Sequence, residues 1–126
     1  MSQNPLTPSP TVWLHILFGD SKGGGHLGGQ GIEGKSEFPE YWSLSRIEQA
    51  ILCAQENIIA RLGSLVQGEH NELVDGILLR IIITQQDEDA ALSIRTAFPI
   101  RGNGVFRNIN GERISKPLLR QDRKRK

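Results

Sequence analysis

Apolar positions along this chain follow two different periods. Ile47, Ile51, Ala54, Ile58 and Leu62 recur every three to four residues, which puts them on one face of a helix. Ser45 with Glu48 three residues on predicts a capping box at its start, and Gly63 a left-handed stop at its end. Gly76 to Thr84 (GILLRIIIT) is apolar at nearly every position, as in a central strand covered on both faces. From Ala91 to Pro99 the pattern alternates: Leu92, Ile94, Thr96 and Phe98 share one face, Ser93, Arg95 and Ala97 the other. Val105–Ile109 and Arg113–Ser115 bracket Asn110-Gly111, a two-residue hairpin signal. Gly68 to Asp75 (GEHNELVD) reads as a polar connection, and Gln85 to Asp89 as a turn. Thr11 to Phe18 (TVWLHILF) fits a strand or a short helical turn, and eight residues do not decide between them. The order predicts an α+β fold in which an N-terminal glycine-rich loop and helix pack on a twisted antiparallel β-sheet.

Composition adds boundaries to this picture. At 126 residues, 37% hydrophobic and 23% charged, the chain makes one globular domain able to bury its own core. Residues 1–10 hold three prolines and read as a flexible lead, 11–116 as the folded domain, and 117–126 as a basic tail. That tail carries most of the charge asymmetry: five basic side chains and one acid lie between Arg120 and Lys126, a solvated arm able to contact phosphates. No apolar run reaches the ~20 residues of a membrane helix. No positive charge precedes the first apolar stretch, and Cys53 has no partner for a disulfide, so a cytoplasmic protein is expected.

Eight of the fourteen glycines lie between Gly19 and Lys35. Successive glycines let backbone N–H groups, those of Gly24 and Gly25 among them, converge on an anion such as phosphate. His15 and His26 bracket this loop. Two solvent-reachable imidazoles titrating near pH 6.5 can share acid and base roles. Taken singly, a histidine in an apolar run is more often a hydrogen-bonded core residue, and His70, in a polar stretch, reads as surface.

Three segments in order, His15-Ile-Leu-Phe-Gly-Asp20, Gly23-Gly-Gly-His26 and Thr96-Ala-Phe-Pro99, resemble the bacterial EndoU nuclease domain over about residues 13–110. The resemblance implies metal-independent, cofactor-free cleavage of single-stranded RNA beside uridine, leaving a 2′,3′-cyclic phosphate. It implies His15 and His26 as the acid–base pair and Thr96 as a hydroxyl contact to phosphate or base. Many relatives carry tyrosine where this chain has Phe98, whose ring offers a stacking surface instead. Animal relatives use a lysine, for which Lys22 and Lys35 are the candidates here. Arg95, on the opposite strand face from Thr96, ranks below them. An inhibitor or immunity protein is an implied partner. Met1 and the complete motif set favour a free-standing RNase over the tip of a delivered toxin.

Other chemistries compete. Gly29 to Ser36 (GQGIEGKS) fits the phosphate-loop pattern G-x-x-x-x-G-K-[ST]. That motif needs a helix starting at its lysine, and Pro39 opposes one. A zinc module from His15, His26, His70 and Cys53 fits no structural zinc spacing, and Cys53 is expected to pack as a small apolar residue. A non-catalytic RNA-binding module would need the basic tail but neither histidine.

Overall fold

The computed structural model describes residues 5–21, 23–85, 87 and 90–122. Helix α1 spans Pro10–Phe18. Ser9, in an extended conformation, caps it by accepting the Val12 N–H at 3.2 Å, and Pro10 occupies the first turn, where its missing N–H costs nothing. That Ser-Pro pair resolves the ambiguous apolar run in favour of helix. Before the helix, Leu6 is tied to α2: its N–H donates to Gln55 Oε1 at 2.6 Å, and Gln55 Nε2 donates back to its carbonyl at 2.8 Å. Gln55 is fully buried, and this reciprocal pair satisfies its amide.

Helix α2 spans Leu44–Leu62. Its cap is Ser43, which accepts the Arg46 N–H at 3.1 Å, so Ser45 lies inside the first turn and the expected Ser45–Glu48 box does not form. Gly63 ends the helix in the left-handed conformation at φ 88°, as the sequence predicts. Ile47, Ala50, Ile51, Ala54 and Ile58 are buried, while Leu62 at the last helical position stays 48% exposed.

The fold is α+β, with two antiparallel three-stranded sheets where one was expected. In the first, β2 (Gly68–Val74), β3 (Ile77–Thr84) and β4 (Ser93–Gly102) lie in sequence order with β3 central. Gly68–Val74 is therefore an edge strand, not a connection; its Asp75-Gly76 turn has φ 50° and 79°, nearly the values of Asn110-Gly111. The second sheet orders β1 (Ser36–Glu37), β5 (Phe106–Ile109) and β6 (Glu112–Ser115) as β1-β5-β6. The break falls at Gly102, with φ 148°; a β-carbon there would sit 2.5 Å from Ile77 Cδ1 and 2.8 Å from the Gly76 carbonyl oxygen. Only glycine fits, and the chain turns away from the first sheet. Hydrogen bonds from Gly102 N–H to Lys116 O (2.8 Å) and from Lys116 N–H to Val105 O (2.9 Å) tie the two sheets together.

On β3, Ile77, Leu79, Ile81 and Ile83 face the core against α2, while Arg80, Ile82 and Thr84 are only half-buried on the other side. The strand is thus covered on one face and open to a cleft on the other. Each fully buried isoleucine or leucine contributes about 1.5–3 kcal/mol, and this layer with Ile16, Leu17, Phe38 and Trp42 holds the cleft walls rigid. Residues 117–122 belong to this structure as well: Asp122 is buried and accepts the Leu119 N–H at 2.8 Å. The remaining basic residues of the expected arm, 123–126, lie outside the described residues, as do 86, 88 and 89 of the β3–β4 turn. Among the described residues no helix is long and apolar enough to cross a membrane.

Candidate functional site

The end of α1 and the glycine-rich loop solve each other's hydrogen-bonding problem. A helix leaves its last carbonyls without intrahelical donors. Here Gly25 N–H donates to His15 O (3.0 Å), His26 N–H to Ile16 O (2.8 Å) and Leu27 N–H to Leu17 O (3.0 Å). The loop thereby runs alongside the helix terminus and carries His26 to His15. Gly24 is obligatory: at φ 79°, a β-carbon would lie 2.0 Å from the His15 carbonyl oxygen. Of the two glycines whose amides were expected to meet a phosphate, Gly24 borders the cleft and Gly25 does not. The Gly25 N–H is committed to the helix and Gly25 lies behind the cleft, while the Gly29 and Gly31 N–H groups donate to Glu37 at 3.0 and 2.8 Å.

A cleft of about 1200 Å³ gathers His15, His26, Gly24, Lys35, Thr96 and Phe98. His15 Nδ1 lies 3.0 Å from Asp20 Oδ2. His26 is buried, with Nδ1 2.7 Å from the Ser36 carbonyl. A carbonyl can only accept, so Nδ1 carries the hydrogen and Nε2 keeps its lone pair. Burial pushes the His26 pKa down from 6.5 to about 4; the Ser36 carbonyl opposes this, and the charges of Lys35 and His15 add to it. His26 is therefore neutral at pH 7, and it does not titrate near 6.5 as a solvent-reachable imidazole would.

Two β-bulges on β4 redirect its side chains. Thr96 pairs with Ile82 but Ile94 with Ile83, leaving Arg95 as the extra residue. Ile94 consequently joins the core face with Ala97, while Thr96 and Phe98 face the cleft, and Arg95 lines that same cleft instead of pointing away from it. Thr96 Oγ1 is shielded from solvent and has no hydrogen-bond partner among the described residues. Phe98 stacks on His26, ring centroids 5.0 Å apart and planes 19° apart, and the Arg80 guanidinium sits 5.9 Å from its ring centre. The ring expected to receive a base is already engaged by two protein groups.

Cations dominate the lining: Lys35, Arg80, Arg95, Arg101, Arg107 and Lys116 against Asp20 and Glu69. Lys35 is fixed through its backbone, its carbonyl accepting from Asn108 N–H (3.1 Å) and Asn108 Nδ2 (3.2 Å). Its Nζ lies 3.3 Å from where a Gly23 β-carbon would stand, which places it between the histidine loop and β5. Lys22, the other candidate lysine, lies outside the described residues. Sequence reasoning missed Asp20 and Ser36 as histidine partners and Arg80, Arg101, Arg107 and Lys116 as lining. These come from separate strands and turns, and no local pattern joins them.

Behind the cleft, Glu37 anchors the loop. It is fully buried and accepts from Gly29, Gly31, Asn108 Nδ2 (3.0 Å) and Arg113 Nη2 (3.2 Å). Burial pushes its carboxyl up, but these donors outweigh that and hold it below the usual carboxylate range. This disposes of the phosphate-loop match: Lys35 leads into β1, not a helix, and two amides of the motif face a carboxylate. Of the zinc-module residues only His15 and His26 share the cleft; Cys53 is exposed on α2 rather than packed, and His70 on β2 bonds the Val66 carbonyl at 2.7 Å. Among the described residues no group of three or more histidine, cysteine or acidic side chains is arranged to hold a metal ion.

Comparison with protein-family models, curated proteins and solved structures gives no significant match for this chain.

Proposed function

We propose that this protein is a metal-independent endoribonuclease that cuts single-stranded RNA by transesterification, with His26 as base and His15 as acid. The observation that carries this reading is the pairing of two unlike imidazoles on one cation-lined cleft. His26 is neutral, with its lone pair on Nε2; His15 is joined to a carboxylate. That is the arrangement acid–base cleavage of a phosphodiester requires. His26 Nε2 takes the ribose 2′-OH proton, O2′ attacks phosphorus, the P–O5′ bond breaks, and the His15 imidazolium protonates O5′. The products are a 2′,3′-cyclic phosphate and a 5′-hydroxyl.

The remaining lining fits the charge this reaction develops. Lys35 lines the cleft with the histidines, and the Thr96 hydroxyl has no partner among the described residues. Arg95, Arg101 and Lys116 extend the positive lining beyond them, as binding of more than one phosphate would need. The α+β class and the three motif segments also accord with the resemblance to bacterial EndoU domains, from which a preference for uridine and a dedicated inhibitor partner follow as part of the proposal. Phe98 serves here as the wall against His26 rather than as a base platform.

The test is incubation of the purified protein with a uridine-containing RNA in EDTA, with analysis of the new ends. Cyclic phosphate and 5′-hydroxyl ends that vanish in both His15→Ala and His26→Ala support the proposal. Binding that survives both substitutions without any cleavage by the wild type identifies a non-catalytic binder. A 5′-phosphate product overturns the mechanism.

A further inference from the structure

We infer that Asp20 is a positioning residue for His15: its carboxylate fixes the hydrogen on Nδ1 and presents Nε2 to the cleft. The inference rests on the nuclease reading for its consequence, and on geometry for its substance.

The chain is built to hold Asp20 there. α1 ends at Gly19, whose φ of 83° reverses the backbone directly after the helix. Asp20 then pairs with Gly23 through two hydrogen bonds, Asp20 N–H to Gly23 O (2.8 Å) and Gly23 N–H to Asp20 O (3.1 Å). Both main-chain groups of Asp20 are thus anchored, and the side chain reaches back to His15, Oδ2 to Nδ1 at 3.0 Å. The His15 side chain is 16% exposed and that of Asp20 43%, so the ring is held on its protein side while the carboxylate stays open to water.

Comparison of the two histidines gives the reason for the assignment. On both rings Nδ1 is held by an oxygen, which leaves Nε2 as the working nitrogen. The oxygens differ in charge. Ser36 offers His26 a neutral carbonyl, which orients the ring and opposes, without overcoming, the effect of its burial. Asp20 offers His15 an anion, a charge-assisted partner that fixes the orientation of the ring. Among the described residues the same cleft also carries the neutral His26, the cations Lys35, Arg80, Arg95, Arg101, Arg107 and Lys116, and the acid Glu69, while Asp20 is the acid in contact with His15.

The deciding experiment is nitrogen-15 NMR of the imidazoles in the wild-type protein, read at alkaline pH, with His15 assigned by its loss in His15→Gln. The expected result is a neutral His15 protonated on Nδ1; protonation on Nε2 overturns the proposal. Kinetics then test the consequence. Asp20→Asn lowers kcat about ten- to a hundredfold with KM within about threefold, and moves part of the neutral His15 population to the Nε2-protonated form. Asp20→Glu, which restores a carboxylate, recovers part of the loss. An Asp20→Asn protein with unchanged kcat and an unchanged His15 tautomer overturns the positioning role. A wild type that cleaves no RNA defeats the nuclease reading alone, because the protonated nitrogen of His15 still decides whether Asp20 sets it. If Asp20→Asn does not fold, the wild-type spectrum and Asp20→Glu decide.

Discussion

Phe98 lies flat against His26, with ring centroids 5.0 Å apart and planes within 19°, and this contact is part of what keeps water from the imidazole. Desolvation is the largest cause of the lowered His26 pKa, so the ring that covers it sets the pH at which the base becomes available. Phe98→Ala is expected to raise the His26 pKa from about 4 toward 6.5. The acid limb of the cleavage profile then moves up with it, and the ratio of activity at pH 5 to that at pH 8 falls severalfold. Phe98→Tyr keeps the cover and leaves the limb in place. Nuclear magnetic resonance titration of His26 checks the shift without reference to activity; an unmoved titration refutes the covering role.

The same burial has a consequence for stability. A histidine that charges less readily folded than unfolded makes the unfolded chain bind more protons between the two pKa values. Stability contributed by neutral His26 is therefore fully present above about pH 6.5 and is lost as pH falls toward 4. The size is on the order of 3 kcal/mol, at about 1.4 kcal/mol for each pH unit between 6.5 and 4. Urea denaturation from pH 7 to pH 4 should show this loss. In His26→Gln, whose side chain does not titrate, the slope over that range should flatten, and an unchanged slope would assign the acid sensitivity to other groups.

How much of this was legible in the sequence differs by element. The amphipathic period of α2, the Gly63 stop and the Asn110-Gly111 turn carry local signals, and the structure follows them. β2 was hidden because an edge strand needs little apolar alternation, and only its Asp75-Gly76 turn betrays it. The facing of β4 was misread at Ile94 and Arg95 because a bulge resets the period of two, and nothing in SIRTAF marks the extra residue. The two histidines were visible as brackets of a loop. Their partners were not: Ser36 acts through its carbonyl, which every residue possesses, and the lining arginines arrive from distant strands.

Glycines of the loop that look alike in sequence should differ sharply on substitution. Gly24→Ala places a methyl group 2.0 Å from the His15 carbonyl oxygen at φ 79°, so either the loop or the end of α1 must move. Loss of several kcal/mol is expected, in the range of overpacking added to backbone strain. Gly31, at φ 71° with open space around the same position, should lose only about 1 kcal/mol when changed to alanine. Thermal denaturation of the two variants distinguishes them. Equal losses would mean that the close approach of loop and helix is not what holds His26 beside His15.

Thr96 offers a case in which stability and activity should separate. Its Oγ1 is buried without a partner among the described residues, and an unsatisfied buried hydroxyl costs about 1–3 kcal/mol. The nearly isosteric substitution Thr96→Val removes that cost, so the melting temperature should hold or rise. If the hydroxyl is reserved for the substrate, cleavage should slow about ten- to a hundredfold in the same variant, the value of one hydrogen bond to a charged group. Thr96→Ser keeps the hydroxyl and should stay near wild-type rate while losing a little stability with its methyl group. A Thr96→Val protein that is both more stable and fully active would show that the hydroxyl is an unused defect of β4 and remove Thr96 from the site. A variant less stable than wild type would show that Oγ1 has a partner in solution, and its slower cleavage would then say nothing about substrate.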